Sequence, residues 1–490
     1  MIGALEGAAS LPNGYWDSLN ELIRPAAMSR RFESLLLIGC LMLLWACWRD
    51  PTAAKGAYLD SGQRYFDKGE YNNASIQFRK ALQIDRRYAE AQYRLGLTEL
   101  KLRLWPEALR SLSQAVQLDP KNVQPRLRLA ELHLAARQWE KVREQVSQVF
   151  NLDPQNVDAY ILSGQVEFLD QHYQEALQAL QRAEVLAPND ARAQEELGNT
   201  YVVLQQFGEA ARHYKRAIEL DPNSLPSYLN LAQVYRLENQ PREAVQLLHR
   251  AISTNSKVAT PLIEKGPEQA HLYELLGDAY LSTNDLEAAE RAYRAAIEHN
   301  KNAYGAHTQL ARIYAQEQKL PEAVSEAQVA VQQRPDILLS YILLGTLYER
   351  SGAIEQARAT YGQALQRDPN FALALNNLAW LYCEHGGNLD AAVGLAQRAK
   401  QNLPNNPDIS DTLAWIEYRK GLYRAAAPLL RDALRQVPDS GLFQYHLGMV
   451  LLKEAKDTEA KPILSRALAS KLSAADTEQA RVALRQLEAH

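Results

Sequence analysis

The sequence predicts an all-α solenoid: about twelve helix–turn–helix repeats, a C-terminal capping helix, and an N-terminal signal or anchor segment in front. Three observations predict it. The stretches YNNASIQFRKALQID (Tyr71–Asp85), FGEAARHYKRAIELDP (Phe207–Pro222) and IEQARATYGQALQRDP (Ile354–Pro369) are versions of one another. Their period is 34 residues through most of the chain. Within that period, three positions are held to small residues, which a repeat needs where two helices approach closely. With position 1 at Lys55, later repeats start at Ala89, Val123, Val157, Ala191, Leu225, Ala270, Tyr304, Leu338, Ala372, Pro407 and Gly441.

The chain opens on residues 1–27, which carry no clear periodicity and go untranslated if Met28 is the true start. Residues 28–47 follow as a lipoprotein signal peptide or membrane anchor. Ser29, Arg30 and Arg31 form a basic lead into the uncharged run Leu35–Trp48. As a helix that run is roughly 21 Å long, short of a hydrocarbon core of about 30 Å. LWAC (Leu44–Cys47) and LIGC (Leu37–Cys40) resemble the lipobox of bacterial lipoproteins, with Trp45 a departure from it. The resemblance implies lipidation at Cys47. It also implies an outer-membrane site facing the periplasm, because Trp48 is not the aspartate that retains such proteins in the inner membrane. The alternative is an uncleaved inner-membrane anchor.

Repeats one to six span 55–256. Position 8 is Gly or Ala in all twelve repeats, from Gly62 to Gly448. Positions 20 and 27 are Ala in eleven each, the exceptions being Val142 and Val149. Glycine inside a helix costs about 1 kcal/mol relative to alanine, so its recurrence implies close packing between the two helices of a repeat. Proline at position 32 in eight repeats, as at Pro120 and Pro222, ends each unit. Residues 257–269, around KVATPLIEKGP, are an insertion that is either a surface loop or a hinge. Repeats seven to twelve span 270–470, with one extra residue near EHGGNLD (Glu384–Asp390) that reads as a longer turn. Residues 471–490 read as the capping helix that an open-ended stack requires.

These positions resemble the tetratricopeptide repeat (TPR). The resemblance covers Lys55 to about Ser470 and implies a right-handed α–α superhelix with helix A of each repeat lining a concave groove. Composition leaves little room for chemistry. There is no phosphate loop, no HExxH, no CxxC and no GxSxG. The histidines lack metal-ligand spacing, so neither metal nor cofactor is expected. Cys383 beside His385 reads as a buried thiol rather than a nucleophile. A formal net charge of −4 gives no case for nucleic acid. The chain is expected not to be an enzyme.

What remains is binding of a protein or peptide in the groove. In the family, positions 2, 5, 6, 9, 12 and 13 of helix A face it. Asn199 and Asn230 match half of the carboxylate clamp of chaperone-binding TPR domains. Glu195, His271 and Leu275 stand where cations would be needed. An asparagine ladder like that of O-GlcNAc transferases finds only Asn230 and Asn377. Repeats ten to twelve place Trp380, Trp415 and Met449 at position 9, with Asn376, Asn377, Tyr418 and Tyr445 around them. Either this stripe grips a partner or the tryptophans pack between adjacent A helices. The block from Asn376 to Leu434 resembles TPR lipoproteins of exopolysaccharide and PEP-CTERM/exosortase systems. That implies a scaffold of the bacterial cell envelope, in export or assembly. A regulatory TPR subunit of a transferase and a direct polysaccharide binder are the alternatives.

Overall fold

A computed structural model describes residues 51–255, 266–470 and 472–488. Residues 1–50, Cys47 among them, and most of the 257–269 insertion therefore lie outside the described residues. Among those described there are 25 helices and no strand. They fall into two compact units that divide between Gln206 and Phe207.

The first unit holds α1 (Pro51–Asp67), α2 (Tyr71–Ile84), α3 (Ala89–Lys101), α4 (Trp105–Leu118), α5 (Val123–Ala135), α6 (Trp139–Leu152), α7 (Val157–Leu169), α8 (Tyr173–Leu186) and α9 (Ala191–Val203). The second begins with α10 (Phe207–Leu220), α11 (Leu225–Leu237), α12 (Pro241–Asn255), α13 (Pro267–Ser282), α14 (Leu286–His299), α15 (Tyr304–Gln316) and α16 (Leu320–Gln333). It continues through α17 (Leu338–Arg350), α18 (Ile354–Arg367), α19 (Ala372–Glu384), α20 (Leu389–Asn402), α21 (Pro407–Arg419), α22 (Tyr423–Gln436), α23 (Gly441–Lys453), α24 (Asp457–Ala469) and α25 (Ala474–Glu488). In each unit, every helix packs on the next one in sequence.

The periodic small residues have a direct cause. A Cβ placed on Gly62 would lie 2.5 Å from the Phe78 ring, and one on Gly345 would lie 2.3 Å from the ring of Tyr361. Gly96 meets Leu112 in the same way, Gly164 meets Leu180, Gly277 meets Tyr293 and Gly448 meets Leu464. Position 8 of helix A thus receives the side chain at position 24 of helix B, sixteen residues on. At some positions where helix A carries alanine the opposing residue is smaller: Ala130 shares a core with Val146, and Ala311 with Ala327. Ala414 still shares a core with Leu430, so the trade of volume across the seam is partial.

The turns repeat as well. After helix A the chain passes through a left-handed residue, such as Arg103 (φ 59), Arg137 (φ 54) or Gly352 (φ 77). The next N–H then returns to helix A, as in Leu104 to the Glu99 carbonyl at 2.9 Å, which closes a Schellman cap. After helix B an aspartate accepts the backbone N–H two residues later, Asp85 from Arg87 and Asp153 from Gln155.

Helix α13 starts at Pro267, ahead of the repeat boundary at Ala270, and α1 already includes Pro51, ahead of Lys55. Proline at the first helical position of α13 lacks only an N–H that the helix leaves unpaired anyway, so it extends the helix backwards. Helix α13 also packs on α12, with His249 Nε2 and the Tyr280 hydroxyl 2.7 Å apart. Stacking therefore continues past the insertion, and the division into compact units falls at 206/207 instead. The extra residue in repeat ten lengthens the turn before α20, which Asn388 caps by accepting from Asp390 and Ala391. At the C-terminus, the Ser473 hydroxyl accepts from the backbone N–H of Asp476 and donates to the Asp476 carboxylate, a reciprocal cap that starts α25.

Candidate binding surface of repeats nine to twelve

Helix A of repeat nine, α17, leaves Leu339 61% exposed. Its neighbours at groove positions, Ile342 and Leu373, are half-buried or exposed only in part. In α19, Asn376 and Asn377 are half-buried, with the Asn376 amide donating to Asn377 Oδ1 at 3.4 Å. The Asn376 side-chain carbonyl oxygen is covered yet has no hydrogen-bond partner among the described residues. Trp380 is half-buried one turn further on and packs against the adjoining core.

Repeats eleven and twelve are built differently. Ile409 to Glu417 of α21 are all buried. Trp415 is 7% exposed and Tyr445 fully buried, so these two expected groove residues lie in the seam between A helices. The Trp415 ring stacks on His446 at 3.9 Å and on Tyr418 at 4.7 Å. Its indole N–H donates to Glu384 at 3.1 Å, and Arg419 donates to the same oxygen. Beneath the indole, His446 Nδ1 lies 2.7 Å from Asp411, both groups almost fully buried. The Tyr445 hydroxyl donates to Gln479 of α25 at 2.7 Å. Met449 and Tyr418 are partly buried against the same cluster. The reason is spatial: position 9 adjoins the position 8 seam, and here neighbouring A helices pack directly.

Cys383 is 3% exposed, and burial pushes its thiol up to about 12. It donates weakly to Glu384 at 3.6 Å. A thiol held protonated is no nucleophile. Asn199 donates to Glu196 at 3.1 Å in the first unit, while Asn230 is half-buried in the second.

Sequence reasoning missed two clusters. Asp411 and His446 are 35 residues apart, one period plus one, so periodicity places them on adjacent A helices. Glu167, Asp170 and His172 converge closely enough to hold a cation. That charge is already met by Arg143, which donates to Glu167 at 2.8 Å and to Asp170 at 2.5 Å. The guanidinium holds Glu167 below the usual carboxylate range.

Stacked antiparallel helix pairs with a repeating small-residue seam define an α-solenoid, a class that works by offering one continuous surface to a partner. TPR repeat profiles match residues 62–102 and 198–238, and tetratricopeptide repeat profiles match 99–166, 227–261, 274–336, 342–407 and 412–480. The chain belongs to the tetratricopeptide-repeat family, and its fold is that of a protein–protein interaction scaffold. It is 28% identical over 162 residues to the TPR repeat-containing protein PA4667 of Pseudomonas aeruginosa; the match takes in 33% of this chain and spans 27% of that protein's length. Among solved structures, the APC/C hetero-tetramer Cut9–Hcn1 is similar over 91% of this chain and 98% of its own, at 14% identity and a TM-score of 0.44. A tetratricopeptide repeat protein of Parabacteroides merdae is similar over 52% and 96%, at 18% identity and a TM-score of 0.40.

Proposed function

We propose that the chain is a non-catalytic scaffold of the bacterial cell envelope that holds an extended segment of a protein partner on helix A of repeats nine and ten. The observations that carry this are exposed Leu339 on helix A of repeat nine and the partnerless Asn376 carbonyl oxygen on helix A of repeat ten. A covered acceptor without a donor is costly unless a ligand supplies one. A backbone N–H of an extended peptide would meet Asn376 while an apolar side chain covers Leu339. Trp380, half-buried one turn on from Asn376, adds the aromatic area that concentrates binding energy at such surfaces.

The envelope part of the reading rests on the basic lead, the short apolar run and Cys47. Palmitate labelling of wild type and Cys47→Ser tests it: label that persists in the variant removes Cys47 as the anchor. Crosslinked co-purification from the envelope tests the surface. Asn376→Ala with Leu339→Asp is expected to lose the partner at least about tenfold, the effect of one orphaned hydrogen bond; unchanged recovery sinks the assignment. Direct polysaccharide stacking is less well supported, because Trp415 and Tyr445 are spent on packing.

A further inference from the structure

The turns between helices A and B follow one another at 34-residue spacing along the first unit. In repeats two and three the left-handed position is Arg103 and Arg137, and in repeat one, where it is Gly69, Lys68 stands just before it; all three cations are exposed and have no ion-pair partner among the described residues. Two residues after each left-handed turn position stands an aromatic residue: Tyr71, Trp105 and Trp139. Trp105 is 53% exposed and Leu104 beside it 40%. The carboxylates near these turns are already engaged. Glu70 accepts from Asn73, Glu107 from Arg110 at 3.1 Å, and Glu140 from Arg143 at 2.9 Å. The series stops there, since Gln171 and Gln205 occupy the turn position in repeats four and five.

Arg103 and Arg137 adopt positive φ. Repeats nine to eleven use glycine there, Gly352, Gly386 and Gly421, and six other repeats use an uncharged Gln, Asn or Ala, such as Gln171, Asn239 and Ala455. The arginines are therefore set apart by charge, and their side chains reach solvent. Cations interleaved with exposed tryptophan and leucine are the chemistry of a bilayer interface, where indole sits at headgroup level and each Lys or Arg gains from anionic lipid. The three repeats concerned are also those nearest the apolar run. In sequence that run ends at Trp48, three residues before Pro51 of α1.

We infer that the A–B turn edge of repeats one to three is a membrane-apposed surface that binds anionic lipid headgroups. The inference draws support from the proposed N-terminal anchoring, but it is separable from it. The test uses the full chain with vesicles of phosphatidylcholine alone or mixed with phosphatidylglycerol. Flotation with the neutral vesicles reports the N-terminal segment. Backbone hydrogen exchange across 101–110 and 135–144 reports the edge. Exchange there is expected to be about tenfold slower on the mixed vesicles than on the neutral ones, reversibly with salt. The double variant Arg103→Gly/Arg137→Gly, which relaxes the backbone and so folds at least as well, is expected to abolish the difference. Equal exchange on both vesicles overturns the inference and leaves anchoring intact. Loss of neutral flotation with the anionic effect retained overturns anchoring alone. Equal slowing by soluble polyglutamate overturns the lipid assignment in favour of an acidic protein partner.

Discussion

At the residue scale, the seam between helices A and B sets the sharpest constraint. Gly345→Ala would press a methyl group into the Tyr361 ring, whose hydroxyl is tied to Glu349. Overpacking of this kind is expected to cost about 1–3 kcal/mol in chemical denaturation. Glu417 makes a second case. It is 8% exposed, its Oε2 has no partner among the described residues, and burial raises its pKa. The folded chain therefore holds that proton more tightly than the unfolded chain. The stability this contributes is full below the unfolded pKa and is lost as pH rises through the raised folded value. Glu417→Gln is expected to raise the denaturation midpoint at neutral pH and to flatten its decline from acid to neutral; an unchanged pH profile would show that Glu417 stays solvated.

At the element scale, one contact recurs between helix B of one repeat and helix A of the next. Position 25 meets position 11, twenty residues on: Arg79 with Glu99, Gln181 with Tyr201, Arg294 with Tyr314 and Gln328 with Tyr348. Glu417 occupies position 11, and the residue twenty before it is Gln397 in α20. Gln397→Arg would supply the cation that Arg79 gives Glu99, with an expected gain of about 1 kcal/mol, discounted because position 25 is exposed. A double-mutant cycle with Glu417→Gln should abolish the gain. The capping helix is another element with a defined task. Ala480 and Ala483 of α25 are buried, and Gln479 receives the Tyr445 hydroxyl. Ending the chain before Ser473 would expose that face, so faster hydrogen exchange in α23 and α24 is expected.

At the scale of the whole molecule, each repeat is held by its neighbours, so damage should stay local. Trp415→Ala removes the ring that joins His446, Tyr418 and Glu384. It is expected to loosen α19 to α25 while exchange in the first unit remains unchanged. Accelerated exchange throughout both units would instead reveal a single cooperative block.

The sequence by itself determined the repeat, its period and most of its boundaries, because the close approach at positions 8, 20 and 27 admits few side chains. It also pointed to a stripe on helix A of repeats ten to twelve, with Asn199 and Asn230 apart from it, and it carries none of the familiar catalytic motifs. Only the tertiary structure decided which residues in that stripe meet solvent. Trp380, Trp415 and Met449 share position 9, yet Trp415 is sealed between α21 and α23 while Leu339 of repeat nine stands open. The difference arises because exposure depends on how closely adjacent A helices pack, a distance between repeats that no spacing within one repeat encodes. The partnerless oxygen of Asn376 and the buried meeting of Asp411 with His446 belong to the same category. Each is a relation across helices, legible only once the helices are stacked.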